Sequence, residues 1–199
     1  GEHDPLGHDS EGALRHRGPY GPRTRLTEAL AMPPDKSVVI SDAELMEMAL
    51  DQARAALNAG EVPVGAVLAL PDGRLFQAHN RTKELGLPHA HAEHLVIDSA
   101  AEALGDWRLE GSVMASTVEP CLMCGGLCVI ARVARIVFGA PDPRFGAFGS
   151  VTDIAGMQNL NHYPEVTGGV MEEESARLMR SFFRSLREAR SVDQAGGDT

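Results

Sequence analysis

Two short clusters 30 positions apart, His91-Ala92-Glu93 and Glu119-Pro120-Cys121-Leu122-Met123-Cys124, constrain this chain more than anything else in it. An imidazole and two thiolates make three zinc ligands, so a fold that uses them must bring position 91 within bonding reach of positions 121 and 124. A structural zinc site closes with a fourth protein group, whereas a catalytic site leaves that place to water. The missing fourth ligand marks a reaction centre. Glu93 stands two residues beyond His91. On a helix that offset turns it to a different side within the same turn, which suits a proton carrier better than a ligand.

The same residues would also serve a structural zinc knot, or reduced cysteines in a core. Cys121, Cys124 and Cys128 fall at i, i+3 and i+7 along one helical face, and a Cys3His site would need all three. At a rise of about 1.5 Å per residue, positions 121 and 128 lie about 10 Å apart along a helix axis, while zinc and sulfur bond at about 2.3 Å. Cys128 is therefore read as a small core residue, and His91, Cys121 and Cys124 as the ligand set.

Of 199 residues, the first 40 differ from the rest. They hold five of the twelve prolines, three histidines and charges of both signs without a sustained apolar period, a composition that cannot bury enough surface to offset chain entropy. Residues 1–40 are expected to be a disordered extension, with His3, His8 and His16 solvated. Residues 41–190 form the expected folded domain, and 191–199 a flexible tail. No run of about 18 apolar residues suggests a membrane span. The first residues show no basic segment followed by an apolar core, so no secretory signal is expected. Three cysteines, two of them needed as thiolates, suit a reducing compartment, and the expected location is the cytoplasm.

Ser41 and Glu44 form a capping box ahead of Leu45, Met48, Ala49, Gln52 and Ala56 at helical spacing, and Gly60 stops that helix. Residues 62–70 read as a buried strand, Pro71-Asp72-Gly73 as a turn and 75–78 as the hairpin partner. A loop over 80–90 precedes a helix over 91–104 that ends at Gly105; a strand over 113–116 follows, then a helix whose first turn Pro120 pre-sets and which runs to about residue 131. A strand over 135–139 and a late helix complete the series. Helix, strand, strand, helix, strand, helix, strand, helix describes an α/β sandwich, a sheet covered by helices. Both ligand clusters open helices, where backbone donors and the dipole favour thiolate over thiol.

The H-x-E and P-C-x-x-C pair matches the signature of the zinc deaminases. From residue 61 to residue 187 the chain resembles the bacterial tRNA-specific adenosine deaminases of the cytidine deaminase superfamily. The resemblance rests on Glu61-Val62-Pro63-Val64-Gly65, His79-Asn80-Arg81, Ala90-His91-Ala92-Glu93-His94, Trp107-Arg108-Leu109, Glu119-Pro120-Cys121, Phe138-Gly139-Ala140, Gly146-Ala147-Phe148-Gly149-Ser150, Asn161-His162 and Phe182-Phe183-Arg184. The zinc motifs alone identify only the superfamily; the late double Phe with arginines points to the tRNA branch.

The resemblance implies a three-layer α/β/α sandwich with a central mixed sheet, a homodimer with one zinc per subunit, and conversion of adenosine to inosine at the wobble position of a tRNA anticodon stem-loop. It also implies that Asn80 contacts the flipped nucleoside and Asp142 the nearby ribose, a contact by which a site prefers RNA to DNA. Read without the family, Asn80 is a turn residue and Asp142 a cap or loop acid. The chain departs from the family pattern at Leu87-Pro88-His89, where a triplet such as Asp-Pro-Thr is usual, and at Val118, where Leu is common. His89 is read as a loop residue or a partner of the ligands, not as a fourth ligand.

A formal charge of −10 lacks the basic footprint that phosphate neutralisation needs. Locally the picture differs: Arg177, Arg180, Arg184 and Arg187 fall at 3, 4, 3 spacing beside Leu178, Phe182, Phe183 and Leu186, and Arg190 extends the basic end. This stripe is either an RNA contact, with Arg184 and Arg187 foremost, or a solvated face matched to the helix dipole after Glu172-Glu173-Glu174. Two other functions remain open at this stage. One is deamination of a free base or nucleoside of guanine, cytosine or adenine type; the other is a zinc-folded binding module, which would have no chemical need for Glu93.

Overall fold

The structure, a computed structural model, describes residues 40–196, with the side chains of residue 190 and of 192–196 left aside. The expectations for residues 1–39, including His3, His8 and His16, for residues 197–199 and for the Arg190 side chain lie outside the described residues.

Helix α1 (Asp42–Asn58) opens on the capping box, with Glu44 N–H on the Ser41 hydroxyl at 3.3 Å and Ser41 N–H on the Glu44 carboxylate at 2.8 Å. Its inner face, Leu45, Met46, Ala49, Leu50 and Ala53, is fully buried. Each large side chain among these contributes about 1.5–3 kcal/mol of burial. Strand β1 (Gly65–Ala69) and β2 (Leu75–His79) make the hairpin. The ladder starts at Gly65 rather than at residue 62, because Pro63 has no N–H to donate and Val64 N–H turns back onto the Val62 carbonyl at 2.7 Å. Gly65 is required by packing: a Cβ there would lie 2.1 Å from the Ala49 carbonyl oxygen of α1.

The loop over 80–90 contains a single helical turn, α2 (Thr82–Leu85), which local sequence did not suggest. Its first amides are capped from afar, Lys83 and Glu84 N–H both donating to the buried Glu61 carboxylate at 2.9 and 2.8 Å. Helix α3 (Ala92–Leu104) ends in a left-handed Gly105 as expected. Strand β3 (Val113–Val118) runs two residues further than its reading. Helix α4 (Leu122–Ile130) starts later than predicted: Cys121 is its N-cap, so Pro120 lies before the helix and not in its first turn. Strand β4 (Arg135–Ala140) is followed by β5 (Glu165–Thr167), a three-residue edge strand whose exposed ends carry no apolar alternation to betray it. Helix α5 (Glu172–Gly196) continues past the boundary placed at residue 190.

The sheet order is β2-β1-β3-β4-β5, with β1 antiparallel to both neighbours and β3, β4 and β5 parallel. Val67, Ala115 and Val137 face α1 and α5, while Ala66, Leu68, Met114 and Ile136 face α3 and α4. Helices cover both faces, which explains why the central strands are near-continuous apolar runs. The result is the expected three-layer α/β/α sandwich with a mixed sheet. Among the described residues no helix is long and apolar enough to cross a membrane.

The registers decide where chemistry can occur. Gly65 pairs with His79, Ala66 with Ser116 and Val118 with Ala140. Asn80, Glu119 and Asp142 therefore all leave the sheet at one end, the carboxyl end of the parallel strands, where open α/β sheets bind ligands.

Candidate active site

His91 lies just outside α3 as its N-cap, in extended backbone (φ −78°, ψ 151°), and its ring does not cap the helix. Asn80 supplies the capping bond instead, its Oδ1 accepting the Ala92 N–H at 2.9 Å. The imidazole is thereby free to turn away, and its Nδ1 stands 3.6 Å from Cys121 Sγ and 3.7 Å from Cys124 Sγ. The three ligand atoms all lie within 4.8 Å of one another. Tetrahedral zinc with bonds of about 2.0–2.1 Å to nitrogen and about 2.3 Å to sulfur needs a nitrogen–sulfur separation of about 3.6 Å. The donor set fits the metal.

One of the two thiols is already poised to lose its proton. The Cys121 thiol is pulled down to about 4 by the Cys124 thiol donating to it, against burial, with His91 adding to the effect. Cys124 is pushed up as the donor of that bond and by its burial, and His91 is raised by its contact with Cys121. Cys128 takes no part. It is fully buried with its sulfur 3.9 Å from Met114 Sδ, and burial raises its thiol further. His89 also stays out of the ligand set, its ring 5.1 Å from that of His94.

Glu93, in the first turn of α3, is 3 % exposed, and its Oε2 has no hydrogen-bond partner among the described residues. Burial pushes its carboxyl up to about 7. The helical-wheel expectation that Glu93 points away from His91 does not apply, because His91 is not in the helix. The two side chains lie close enough to interact, with the Cys124 side chain within hydrogen-bonding reach of the Glu93 carboxyl. A buried carboxylic acid with a free oxygen and a pKa near neutrality is matched to accepting and returning a proton.

Two loops flank this centre. Asn80 is buried, and its Oδ1 is committed to the Ala92 N–H. Asp142 opens the second loop. Its Oδ1 accepts the Arg144 N–H at 2.9 Å in an Asx turn, which is the local role read without the family, and Oδ2 has no partner among the described residues. The second loop lies over the start of α4: Leu122 N–H donates to the Phe145 carbonyl at 3.1 Å and Ala147 N–H to Pro120 at 3.0 Å. Sequence reasoning assigned no separate role to Glu61 or Glu119, yet each is a buried carboxylate that holds one of these loops by its amides. Burial raises the Glu119 carboxyl, but bonds from Ser150 and from the Asp142, Phe148 and Ser150 amides outweigh it and hold it below the usual carboxylate range. For Glu119 the sequence signal was an acid placed directly after an apolar strand; Glu61, ahead of β1, gave none.

Helix α5 touches both loops. Lys83 Nζ sits 5.6 Å above the Phe182 ring, and the Arg144 guanidinium 6.0 Å above Phe183. Arg177, Arg180, Arg184 and Arg187 are all exposed. Arg180 is paired with Glu173 at 2.5 Å, while Arg184 and Arg187 have no ion pair among the described residues.

Residues 39–140 match the family described as the cytidine and deoxycytidylate deaminase zinc-binding region. A tRNA-specific adenosine deaminase of Bacillus subtilis is 44 % identical over 147 residues, 74 % of this chain and 91 % of the relative. One from Agrobacterium fabrum is 46 % identical over 143 residues, 71 % of this chain and 93 % of the relative. A solved structure from work on A-to-I editing by tRNA:A34 deaminases at the wobble position of transfer RNA superposes with a TM-score of 0.64 at 45 % identity. It covers 67 % of this chain and 97 % of that one. The matched region is zinc-binding and the three donors are in place, so the cofactor is zinc. The chain belongs to the family of tRNA-specific adenosine deaminases, within the zinc-dependent cytidine deaminase superfamily.

Proposed function

We propose that the chain hydrolyses adenosine to inosine at the wobble position of a tRNA anticodon, with His91, Cys121 and Cys124 as zinc ligands and Glu93 as the proton carrier. The observation that carries this reading is the buried Glu93 carboxyl, whose Oε2 has no hydrogen-bond partner among the described residues, beside a three-donor metal set, in a chain that matches nearly the whole length of tRNA-specific adenosine deaminases. His91, Cys121 and Cys124 would hold a zinc ion, which would lower the pKa of a bound water to about 7 and so supply a nucleophile at neutral pH. Glu93 accepts a proton from the water as its oxygen adds to C6 of adenine, and passes that proton to ring N1. Glu93 then takes the proton of the hydroxyl now on C6 and delivers it to the exocyclic amine; the C6–N bond breaks, ammonia leaves and the C6 carbonyl of inosine remains. Asn80 holds the extruded nucleoside through its side-chain amide, and Asp142 Oδ2 meets the ribose hydroxyl.

Incubating the zinc-loaded protein with tRNA transcripts bearing adenosine at the wobble position should convert that residue to inosine, detected by mass spectrometry of nuclease digests. Free adenine, guanine, cytosine and their nucleosides should remain unconverted. Turnover of a free base with none on tRNA would establish the small-substrate reading instead.

The anticodon arm is placed against α5, where Arg184 and Arg187 contact phosphates. Their exposure, with no ion pair among the described residues, next to the Lys83–Phe182 and Arg144–Phe183 contacts, supports this reading. Arg184→Gln and Arg187→Gln should each weaken tRNA binding and make its logarithmic salt dependence shallower by about one unit or less. Arg180→Gln should do less, since Glu173 already neutralises that side chain. Unchanged salt slopes in all three would assign the stripe to a solvated face. A cytoplasmic homodimer completes the proposal; the exposed Leu122, Met123 and Ile130 on α4 form an apolar face that a second copy would cover.

A further inference from the structure

Residues 142–150 form a loop whose backbone N–H groups have few ladder partners, and one side chain organises them. Glu119, 2 % exposed, directs its carboxylate into the loop. Its Oε2 accepts the Asp142 N–H at 3.1 Å and the Ser150 hydroxyl, and its Oε1 accepts the Phe148 N–H at 2.8 Å and the Ser150 N–H at 3.1 Å. Every donor is a backbone amide or a hydroxyl, and no salt bridge reaches Glu119 among the described residues.

The loop backbone lies flat on the carboxylate. A Cβ on Gly146 would stand 2.4 Å from Glu119 Oε2, so only glycine permits this approach. The two ends of the loop, Asp142 and Ser150, meet on the same oxygen, and that convergence fixes the direction in which the Asp142 side chain leaves. Burying an ionised carboxylate away from water costs several kcal/mol unless it is fully hydrogen-bonded. Fastening a surface loop alone does not require a charge there, but charge-assisted bonds hold it more stiffly than neutral ones. Glu119 also directly precedes Pro120 and the ligand Cys121, so one short segment locates both the metal and the loop.

We propose that Glu119 is a positioning residue for recognition of the target ribose, acting through Asp142, which its carboxylate holds by the backbone. The inference rests on the reading of Asp142 as the ribose contact. Glu119→Gln is the informative change, because its amide nitrogen must replace one oxygen. At the Oε2 position the Ser150 hydroxyl can turn to accept from that nitrogen, whereas the Asp142 N–H then faces another donor. The loss falls on the bond that positions Asp142.

The test uses zinc-loaded protein and two anticodon stem-loop RNAs, one with adenosine and one with 2′-deoxyadenosine at the target position only. Glu119→Gln should keep one zinc per chain. On the ribose substrate kcat/KM should fall about tenfold or more, mainly through KM, while the deoxy substrate changes by less than about threefold. Glu119→Gln combined with Asp142→Asn should be no worse than Asp142→Asn alone, the non-additivity of residues acting as one unit. Equal losses on both substrates, adding to the Asp142→Asn effect, would overturn the proposal in favour of a purely structural role. An unchanged ribose preference in Asp142→Asn would remove the ribose reading and the proposal with it. A reduced preference in Asp142→Asn with none in Glu119→Gln would remove the proposal alone. If Glu119→Gln fails to fold, Ser150→Ala, which deletes only the hydroxyl donor, should reduce ribose preference in smaller measure; unchanged preference there would likewise overturn it.

Discussion

Glu93→Ala should retain zinc and tRNA binding while turnover falls by about 10² or more, the usual contribution of a positioned acid/base. The substitution leaves His91, Cys121 and Cys124 untouched, and α3 keeps its N-terminal bond from Ala92 to Asn80. Near-normal turnover would take Glu93 out of the mechanism. The conservative Glu93→Gln variant should be as inactive, because an amide keeps the shape but cannot exchange the proton.

The same variant has an opposite effect on the zinc-free protein. Burial raises the Glu93 pKa from an ordinary 4.5 to about 7 in the folded state. Between those values the unfolded chain has already released this proton and the folded chain has not. Folding then carries an ionisation penalty that grows with pH across that window and levels off above about 7. Glu93→Gln removes it, so denaturant midpoints measured without zinc should be higher than the parent's at pH 8 and should converge with them near pH 4. A parent protein whose zinc-free stability shows no such pH-dependent gap from Glu93→Gln would mean that the carboxyl is hydrated.

The second large effect concerns the metal. His91→Ala, Cys121→Ala and Cys124→Ala should each abolish stoichiometric zinc binding and activity, since two donors cannot hold the ion and each contributes one of only three. Cys128→Ala should bind one zinc per chain and turn over normally, apart from about 1 kcal/mol or more of stability lost with a small buried side chain. Metal analysis of the four purified variants checks this directly, and zinc loss in Cys128→Ala would revive a Cys3His site.

Much of the site could be read along the chain because its chemistry is local. Three donors and one acid in two short clusters identify candidate zinc ligands and a candidate proton carrier by residue type, and the capping box at Ser41 and the apolar periods prescribe most helices and strands. What sequence misplaced were features that a distant residue supplies. The α2 turn is capped by Glu61, some twenty residues earlier, and β5 exists only because β4 offers it a ladder. The direction of Glu93 relative to His91 followed from Asn80 taking the capping role, which frees His91 from the helix.

The identity of the reacting groups was thus a property of the sequence, since residue type alone decides which atoms can ligate a metal or carry a proton. Their convergence was not. The pairing of Gly65 with His79, Ala66 with Ser116 and Val118 with Ala140 delivers Asn80, Glu119 and Asp142 to one end of the sheet. Burial at that end, between layers contributed by distant segments, raises Glu93, and the Glu119 carboxylate is filled with amides from a loop about thirty residues away. Desolvation and hydrogen-bond satisfaction depend on everything packed around a group, so only the tertiary structure could decide them.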